Sequence, residues 1–239
     1  MHLVIISTVG ASLIINYARY VGYDPFKFLD SIDNMSPEDE KKWEKEILSY
    51  LKEKNKDIKK TSAEMASIFS ILENENLKDI DQIDLMFIVS DTAQGKLVYN
   101  IYKNFFEGFI KSYNGKQIRC YYDIAEGLTY TDLEHVAVGL PTVPILLSQW
   151  IRNNMGMGHK VVLNVTGGFK AECIYAALVG IMADIPTYYM HEKFKKVIML
   201  PPLPDALIRK PKEQVEIFFH IVEKFYKDLK QKIEKTHTE

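Results

Sequence analysis

Short apolar runs alternate along the chain with segments of helical periodicity, which is the order typical of an α/β protein. Three of these runs are each followed at once by a polar turn and then by an apolar helix, and they lie at residues 3–6, 85–89 and 161–165. Shorter strands are predicted at 118–122 and 187–190, with an antiparallel edge strand at 195–200. The pattern therefore predicts a mostly parallel sheet flanked by helices.

The segment at about 36–80 interrupts this alternation with two charged, amphipathic helices. Ser36 and Pro37 form a helix-start signal, and the periodicity predicts helices to about residue 55 and from 62 to 73. We expect this insertion to serve packing or a partner surface and to carry no chemistry. A last helix is predicted at 211–235, so residues 1–204 form the main domain and 205–239 a linker and C-terminal helix.

Composition limits the classes of function. The 239 residues carry a formal net charge of −2, which argues against a protein that coats duplex nucleic acid. Two cysteines and six scattered histidines give neither a disulfide framework nor a metal-ligand spacing, so we expect no metal and no cofactor. Neither an export signal nor an apolar stretch of ~20 residues is present. A cytoplasmic protein without a membrane segment is expected.

The turn after the run at 161–165 contains the chemistry of an anion site. Gly167 and Gly168 allow close approach of a ligand to the backbone, and the following helix begins with unpaired amide groups. Thr166 adds a hydroxyl and Lys170 a mobile positive charge. These features favour a phosphate ligand. A plain strand-to-helix connection with a surface lysine is the alternative for this turn taken alone.

The N-terminal turn repeats the arrangement. Thr8, Gly10 and Ser12 follow an apolar run and precede an apolar helix. Ligands of parallel sheets bind beyond the carboxyl ends of the strands, so the first and last of these turns are expected to frame one crevice in a Rossmann-like fold.

The second turn is less specific. Asp91 or Thr92 is expected to cap the helix that follows, and contact with a ligand is the alternative. None of the three turns has the glycine spacing of a Walker loop or of a dinucleotide fingerprint. An ordinary Rossmann enzyme with a nucleotide cofactor is therefore disfavoured.

Four blocks resemble the CRISPR-associated Rossmann fold (CARF) proteins in their order and spacing. The blocks are Ser7 to Leu13, Ser90 to Thr92 with Gly95, Asn164 to Glu172, and His191-Glu192 with Leu200 to Leu203. The resemblance spans roughly residues 3 to 204, and its most specific part is the Thr-Gly-Gly-Phe-Lys block. The insertion at 36–80 and the last helix lie outside it.

The resemblance implies a homodimer whose turns form one pocket for a cyclic oligoadenylate, the second messenger of type III CRISPR defence. In the family members called ring nucleases, a serine of the first turn and the lysine of the Gly-Gly-x-Lys turn act on the scissile linkage, and the matching positions are Ser12 and Lys170. The other turn residues are expected to bind the ring: Thr8, Val9, Gly10, Ala11, Ser90, Asp91, Thr92, Thr166, Gly167, Gly168 and Phe169.

Two functions follow from the resemblance. CARF sensors usually carry an effector domain after the Rossmann part, whereas the sequence beyond Pro204 has room for one helix. We therefore expect a ring nuclease that cleaves the ring without a metal and ends the signal. The alternative is a sensor module that binds the ring without turnover and regulates an effector or partner.

Overall fold

The computed structural model describes residues 1–129, 133–191 and 196–201, together with His220 and Lys224. The strands are β1 (His2–Thr8), β2 (Gln82–Ser90), β3 (Ser112–Tyr113), β4 (Lys116–Ala125), β5 (Lys160–Asn164), β6 (Thr187–Met190) and β7 (Val197–Met199). The α-helices are α1 (Ser12–Val21), α2 (Pro25–Asp33), α3 (Pro37–Glu53), α4 (Ala63–Asn74), α5 (Ala93–Lys103), α6 (Leu133–Gly139), α7 (Thr142–Gly156) and α8 (Lys170–Met182). A 3-10 helix spans Asn55–Lys60, and a π-helical segment, Asn104–Ile110, extends α5.

The strands form one sheet in the order β3-β4-β2-β1-β5-β6-β7. β1 pairs in parallel with β2 and β5, β2 pairs in parallel with β4, and β5 pairs in parallel with β6. Among the strands of the described residues, only the two at the edges, β3 and β7, are antiparallel to their neighbours. The predicted Rossmann-like, mostly parallel sheet and its antiparallel edge near residue 198 are confirmed.

The chain reverses its direction of travel across the sheet between β1 and β5. It proceeds from β1 outward through β2 to β4, and then returns to the other side of β1 to form β5 and β6. Such a switch point leaves a crevice beyond the carboxyl ends of the two central strands, where α/β proteins bind their ligands.

β1 separates two hydrophobic cores because its side chains alternate between the faces of the sheet. Leu3 and Ile5 are fully buried in the core that packs against α1 to α5. Val4 and Ile6 are buried in the core against α7 and α8. β1 therefore lies at the centre of the fold, and the turn that follows it has a fixed position.

Both helices predicted in the 36–80 segment are confirmed. The Ser36 hydroxyl accepts from the Asp39 amide at the start of α3, and the Ser62 hydroxyl accepts from the Met65 amide at the start of α4. The structure adds α2, which was not predicted although Asp24 caps it and Pro25 is its first residue.

The sequence pattern also did not predict the hairpin of β3 and β4, the 3-10 helix Asn55–Lys60 or the short helix α6. The hairpin of β3 and β4 turns at Asn114 and Gly115, which have positive φ values of 49° and 76°. The short helix α6 precedes α7.

The C-terminal helix predicted at 211–235 lies outside the described residues except for His220 and Lys224. Within the described part of the chain, no helix combines the length and apolar character that crossing a membrane requires.

Candidate functional site

We call the turn after β1, with Gly10, the first turn, the turn after β2, with Thr92, the second turn, and the turn after β5, with Gly168, the third turn. The first and third turns are in direct contact at the switch point. A Cβ atom built on Gly10 would lie 2.6 Å from the amide nitrogen of Gly168, so the two backbones meet without intervening side chains. The Thr8 hydroxyl donates to the carbonyl oxygen of Gly167. Thr8 is 1% exposed, which makes its observed role that of a clamp between the turns.

Ser12 and Lys170 occupy equivalent positions, because each is the first residue of the helix that follows a glycine turn. The preceding N-cap residues are Ala11 and Phe169, whose side chains have no hydrogen-bond acceptor. By contrast, α2, α3, α4 and α5 are each capped by a side chain: Asp24, Ser36, Ser62 and Thr92. The two helices at the switch point thus begin without a hydrogen bond from an N-cap side chain, and the positive end of a helix favours an anion.

The third turn is held by its neighbours on both sides. Gly168 has φ of 101°, a conformation that L side chains rarely adopt. The Thr166 hydroxyl accepts from the Met190 amide at 3.0 Å, and the Cys173 thiol donates to the Gly167 carbonyl at 3.2 Å. The turn is therefore tied to the end of β6 and to the first turn of α8.

Glu64, from helix α4, reaches into the contact between the turns. Its side chain is 0% exposed, and its Oε1 accepts from the Gly10 amide at 2.8 Å. Its Oε2 accepts from the Ser12 hydroxyl at 2.5 Å. One residue of the 36–80 segment, for which we expected packing or a partner surface and no chemistry, thus bonds both the Gly10 amide and the candidate catalytic hydroxyl.

A sequence signal for Glu64 existed. Glu64, Ile68 and Ile71 share one face of α4, and all three are fully buried. A carboxylate on the apolar stripe of an amphipathic helix is uncommon because burial of an unpaired charge is costly. The position could have been identified from that periodicity, but its partners in the first turn could not.

A second buried carboxylate lies beside the third turn. Glu172 is 1% exposed, and its Oε2 would be 2.6 Å from a Cβ atom on Gly168. Lys170, by contrast, is exposed. The turn therefore presents a mobile cation at the surface above buried acids, rather than a uniformly positive cradle, and the Gly10 amide is already committed to Glu64.

The second turn is mainly structural in this arrangement. The Thr92 hydroxyl accepts from the Gly95 amide at 3.0 Å, which confirms the expected helix cap. The Asp91 carboxylate accepts from Lys96 at 3.2 Å and from the Gly127 amide at 3.4 Å. Ser90 is 5% exposed and its hydroxyl contacts that of Thr92 at 2.9 Å.

The candidate residues divide between two neighbouring cavities. One, of about 270 Å³, is lined by Val9, Gly10, Ala11, Ser90, Gln94, Gly95, Gly168 and Phe169. The other, of about 560 Å³, is lined by residues that include Ser12, Asn16, Arg19, Lys59, Lys60 and Thr166. Both cavities therefore contain predicted site residues, and the cavity that contains Ser12 is also lined by basic side chains.

Burial perturbs two titratable groups next to the site. Burial, reinforced by the charge of Glu64, raises the pKa of Tyr102 well above its ordinary value, so its hydroxyl remains a donor. Burial, with a smaller effect of Glu172, raises the pKa of Cys173 to about 11. In the described part of the chain, no group of three or more His, Cys, Asp or Glu side chains is arranged to hold a metal ion.

A doubly wound sheet with contacting glycine turns at its switch point defines an α/β protein with a Rossmann-like ligand crevice. The chain belongs to a CRISPR-associated protein family (Cas_APE2256), whose profile matches residues 59–203. The match includes α4 with Glu64 and the turn with Lys170, and it begins inside the 36–80 segment predicted as an insertion. No curated protein matches the chain.

Proposed function

We propose that the protein is a ring nuclease of the CARF type. It binds a cyclic oligoadenylate, with cyclic tetra-adenylate as the first choice, at the interface of a homodimer. It cleaves the ring by attack of a ribose 2′-hydroxyl, without a metal ion, to linear products with 2′,3′-cyclic phosphate ends. In the cytoplasm this reaction would switch off type III CRISPR signalling.

The observation that carries the proposal is the contact of two uncapped helix starts. Ser12 and Lys170 begin α1 and α8, and the turns before them touch at Gly10 and Gly168. A helix N-terminus favours a negatively charged group, and a phosphodiester at this place would lie near a hydroxyl, an ammonium and the positive ends of two helices. Membership of a CRISPR-associated family supports the choice of a signalling nucleotide as the ligand.

The chemistry needs little beyond these groups. A ribose 2′-hydroxyl is already tethered beside its phosphorus, so fixing the in-line geometry supplies much of the acceleration. The Lys170 ammonium stabilises negative charge that develops on the phosphate or on the leaving 5′-oxygen. Ser12 orients the reacting nucleotide, and the amides at the start of α8 bind the phosphate.

An exposed apolar face on α8 supports the homodimer. Ile174, Tyr175 and Leu178 are 61%, 37% and 49% exposed, and Phe169 at the start of the helix is 47% exposed. The face adjoins the third turn, so a second copy packed against it would place its own turns next to the first set. A two-fold axis at this place would match a ring with an even number of nucleotides.

Incubation of the pure protein with cyclic tetra-adenylate tests the proposal. The reaction contains excess EDTA, and chromatography with mass spectrometry follows the ring. Linear products with 2′,3′-cyclic phosphate ends support the ring nuclease, whereas a bound but intact ring supports a sensor. A Lys170→Ala protein purified in parallel excludes a contaminating nuclease, and cyclic hexa-adenylate tests the ring size.

A further inference from the structure

We propose that Glu64 is a positioning residue that makes Ser12 a proton acceptor. The Glu64 carboxylate holds the Ser12 hydroxyl so that a lone pair of its oxygen faces the attacking ribose 2′-hydroxyl, and it takes up the proton that Ser12 passes on. This inference rests on the proposed function and adds to it a residue from α4 and a path for the proton.

The hydrogen bonds around Ser12 fix the direction of its proton. The Ser12 Oγ atom donates to Glu64 Oε2 at 2.5 Å. The same Oγ accepts from the Ala63 amide at 2.9 Å. A hydroxyl has one proton and two lone pairs, so one lone pair remains for a substrate. That lone pair accepts a hydrogen bond, and a ribose 2′-hydroxyl is the donor that the reaction supplies.

Glu64 is itself fixed from several directions. Its Oε1 accepts from the Gly10 amide at 2.8 Å, and its Oε2 lies 3.3 Å from the hydroxyl of Tyr102. A Cβ atom on Gly167 would approach Glu64 Oε1 to 2.2 Å, so this glycine leaves the space that the carboxylate fills. The carboxylate therefore has one position, set jointly by both glycine turns and by α5.

Glu64 differs from Glu75, a second largely buried acid at the end of the same helix, in the partners of its carboxylate. Glu75, the C-cap residue of α4, is another largely buried acid, and its carboxylate forms an ion pair with Lys160 at 2.5 Å and accepts from Tyr188 at 2.7 Å. Among the described residues, Glu64 has no ion pair with a lysine or arginine. A buried carboxylate without a cation is costly, and here one of its hydrogen bonds comes from the candidate catalytic hydroxyl.

The proposed cleavage step moves three protons and exchanges one bond to phosphorus for another. The 2′-oxygen forms a bond to phosphorus, and the bond from phosphorus to the 5′-oxygen breaks. The 2′-hydroxyl proton moves to Ser12 Oγ while the proton of Ser12 moves to Glu64 Oε2. The leaving 5′-oxygen takes a proton from the Lys170 ammonium. Glu64 ends as a neutral acid and Lys170 as a neutral amine, and exchange with water restores both.

Glu64→Gln tests the inference, because it keeps the size of the side chain and removes its capacity as a proton acceptor. We expect the single-turnover rate of ring cleavage to fall by about 10²- to 10⁴-fold, the usual contribution of a positioned base. The dissociation constant for the ring should change by less than about threefold, because the lost interaction acts on the proton and not on binding. Glu75→Gln is the matched control and should cleave at the wild-type rate.

A double variant shows whether Glu64 acts through Ser12. If it does, Ser12→Ala with Glu64→Gln should be no slower than Ser12→Ala alone. A multiplicative loss in the double variant would overturn the inference, as would wild-type turnover in Glu64→Gln, and both results leave the proposed function intact. Absence of cleavage by the wild-type protein overturns both proposals at once.

If circular dichroism shows that Glu64→Gln does not fold, Ala63→Pro tests the orientation of the Ser12 hydroxyl instead. Ala63 is the first residue of α4, a position that favours proline, and Ser62 before it is extended with φ of −155° and ψ of 163°. The substitution removes the amide that donates to Ser12 Oγ and leaves the helix intact. Slower cleavage with unchanged ring binding supports the oriented hydroxyl, and wild-type turnover refutes it.

Discussion

Gly10 and Gly168 are in backbone contact, and this contact joins the turns that follow β1 and β5. A side-chain atom on Gly10 would lie 2.6 Å from the Gly168 nitrogen, closer than van der Waals contact allows. The contact explains how two segments about 160 residues apart in sequence present one surface. It also makes the geometry of the site depend on two glycines that bind nothing through side chains.

Gly10→Ala should therefore destabilise the fold. The new methyl group meets backbone rather than a flexible side chain, and overpacking of this kind costs about 1–3 kcal/mol. For a chain of this size the melting temperature should fall by about 2–12 °C. Gly156→Ala is the control, since a Cβ atom there meets nothing within 4 Å and its position at the end of α7 tolerates alanine. Differential scanning calorimetry of both variants makes the comparison, and equal melting temperatures would contradict the close contact.

Lys170→Ala and Ser12→Ala should have different effects on ring binding and on the rate of cleavage. Loss of the ammonium removes both attraction for the phosphate and stabilisation of the transition state, so cleavage should cease and ring binding should weaken. Loss of the Ser12 hydroxyl should chiefly slow cleavage, because its proton is directed to Glu64 and not toward a ligand. Single-turnover rates and ring dissociation constants measure both effects. Wild-type turnover in both variants would show that the catalytic residues lie elsewhere.

The order of elements was predictable from sequence because each strand and its turn carry a local signal. Each apolar run is followed at once by a polar turn, such as those that contain Gly10 and Gly168. The strands are parallel, so their carboxyl ends lie at the same edge of the sheet. The caps Ser36 and Thr92 were predictable for the same reason, because a cap depends on its own helix only. Asp24 and Pro25 gave an equally local signal for α2, which was overlooked.

The role of Glu64 was not predictable, because it arises from contacts between segments distant in sequence. Its partners, Gly10 and Ser12, lie more than 50 residues away, and nothing in α4 indicates which strand end the helix start approaches. The division of the site into two cavities has the same origin. Ser12 and Gly10 are two residues apart, yet they line different cavities because α1 turns the hydroxyl toward α4.

Alkaline pH should destabilise the folded protein. Burial, followed by Glu172, raises the pKa of Cys173 to about 11, and burial, followed by Cys120 and Glu107, raises the pKa of Tyr99 to about 12. The unfolded chain releases these protons near the ordinary pKa values of a thiol and a phenol, 9.0 and 10.0. The contribution of both groups to stability is therefore fully present below about pH 9 and decreases from there toward pH 12. The urea midpoint should be lower at pH 10.5 than at pH 8. Cys173→Ala should reduce this difference, and a midpoint that does not change with pH would contradict the burial of both groups.

Leu178→Glu should dissociate the proposed homodimer and abolish ring binding. Leu178 is 49% exposed and lies one helical turn beyond Ile174 on the same face of α8, so a charge there would be buried against the second copy at high cost. Phe26→Glu is the matched control, because Phe26 is 70% exposed on α2, which contacts α1 and α5 on the other side of the sheet. Sedimentation equilibrium should give a dimer for the wild-type and Phe26→Glu proteins, with one ring bound per two chains, and a monomer without ring binding for Leu178→Glu. A wild-type monomer that binds one ring per chain would exclude a shared pocket, whereas a dimer that survives Leu178→Glu would move the interface to another face.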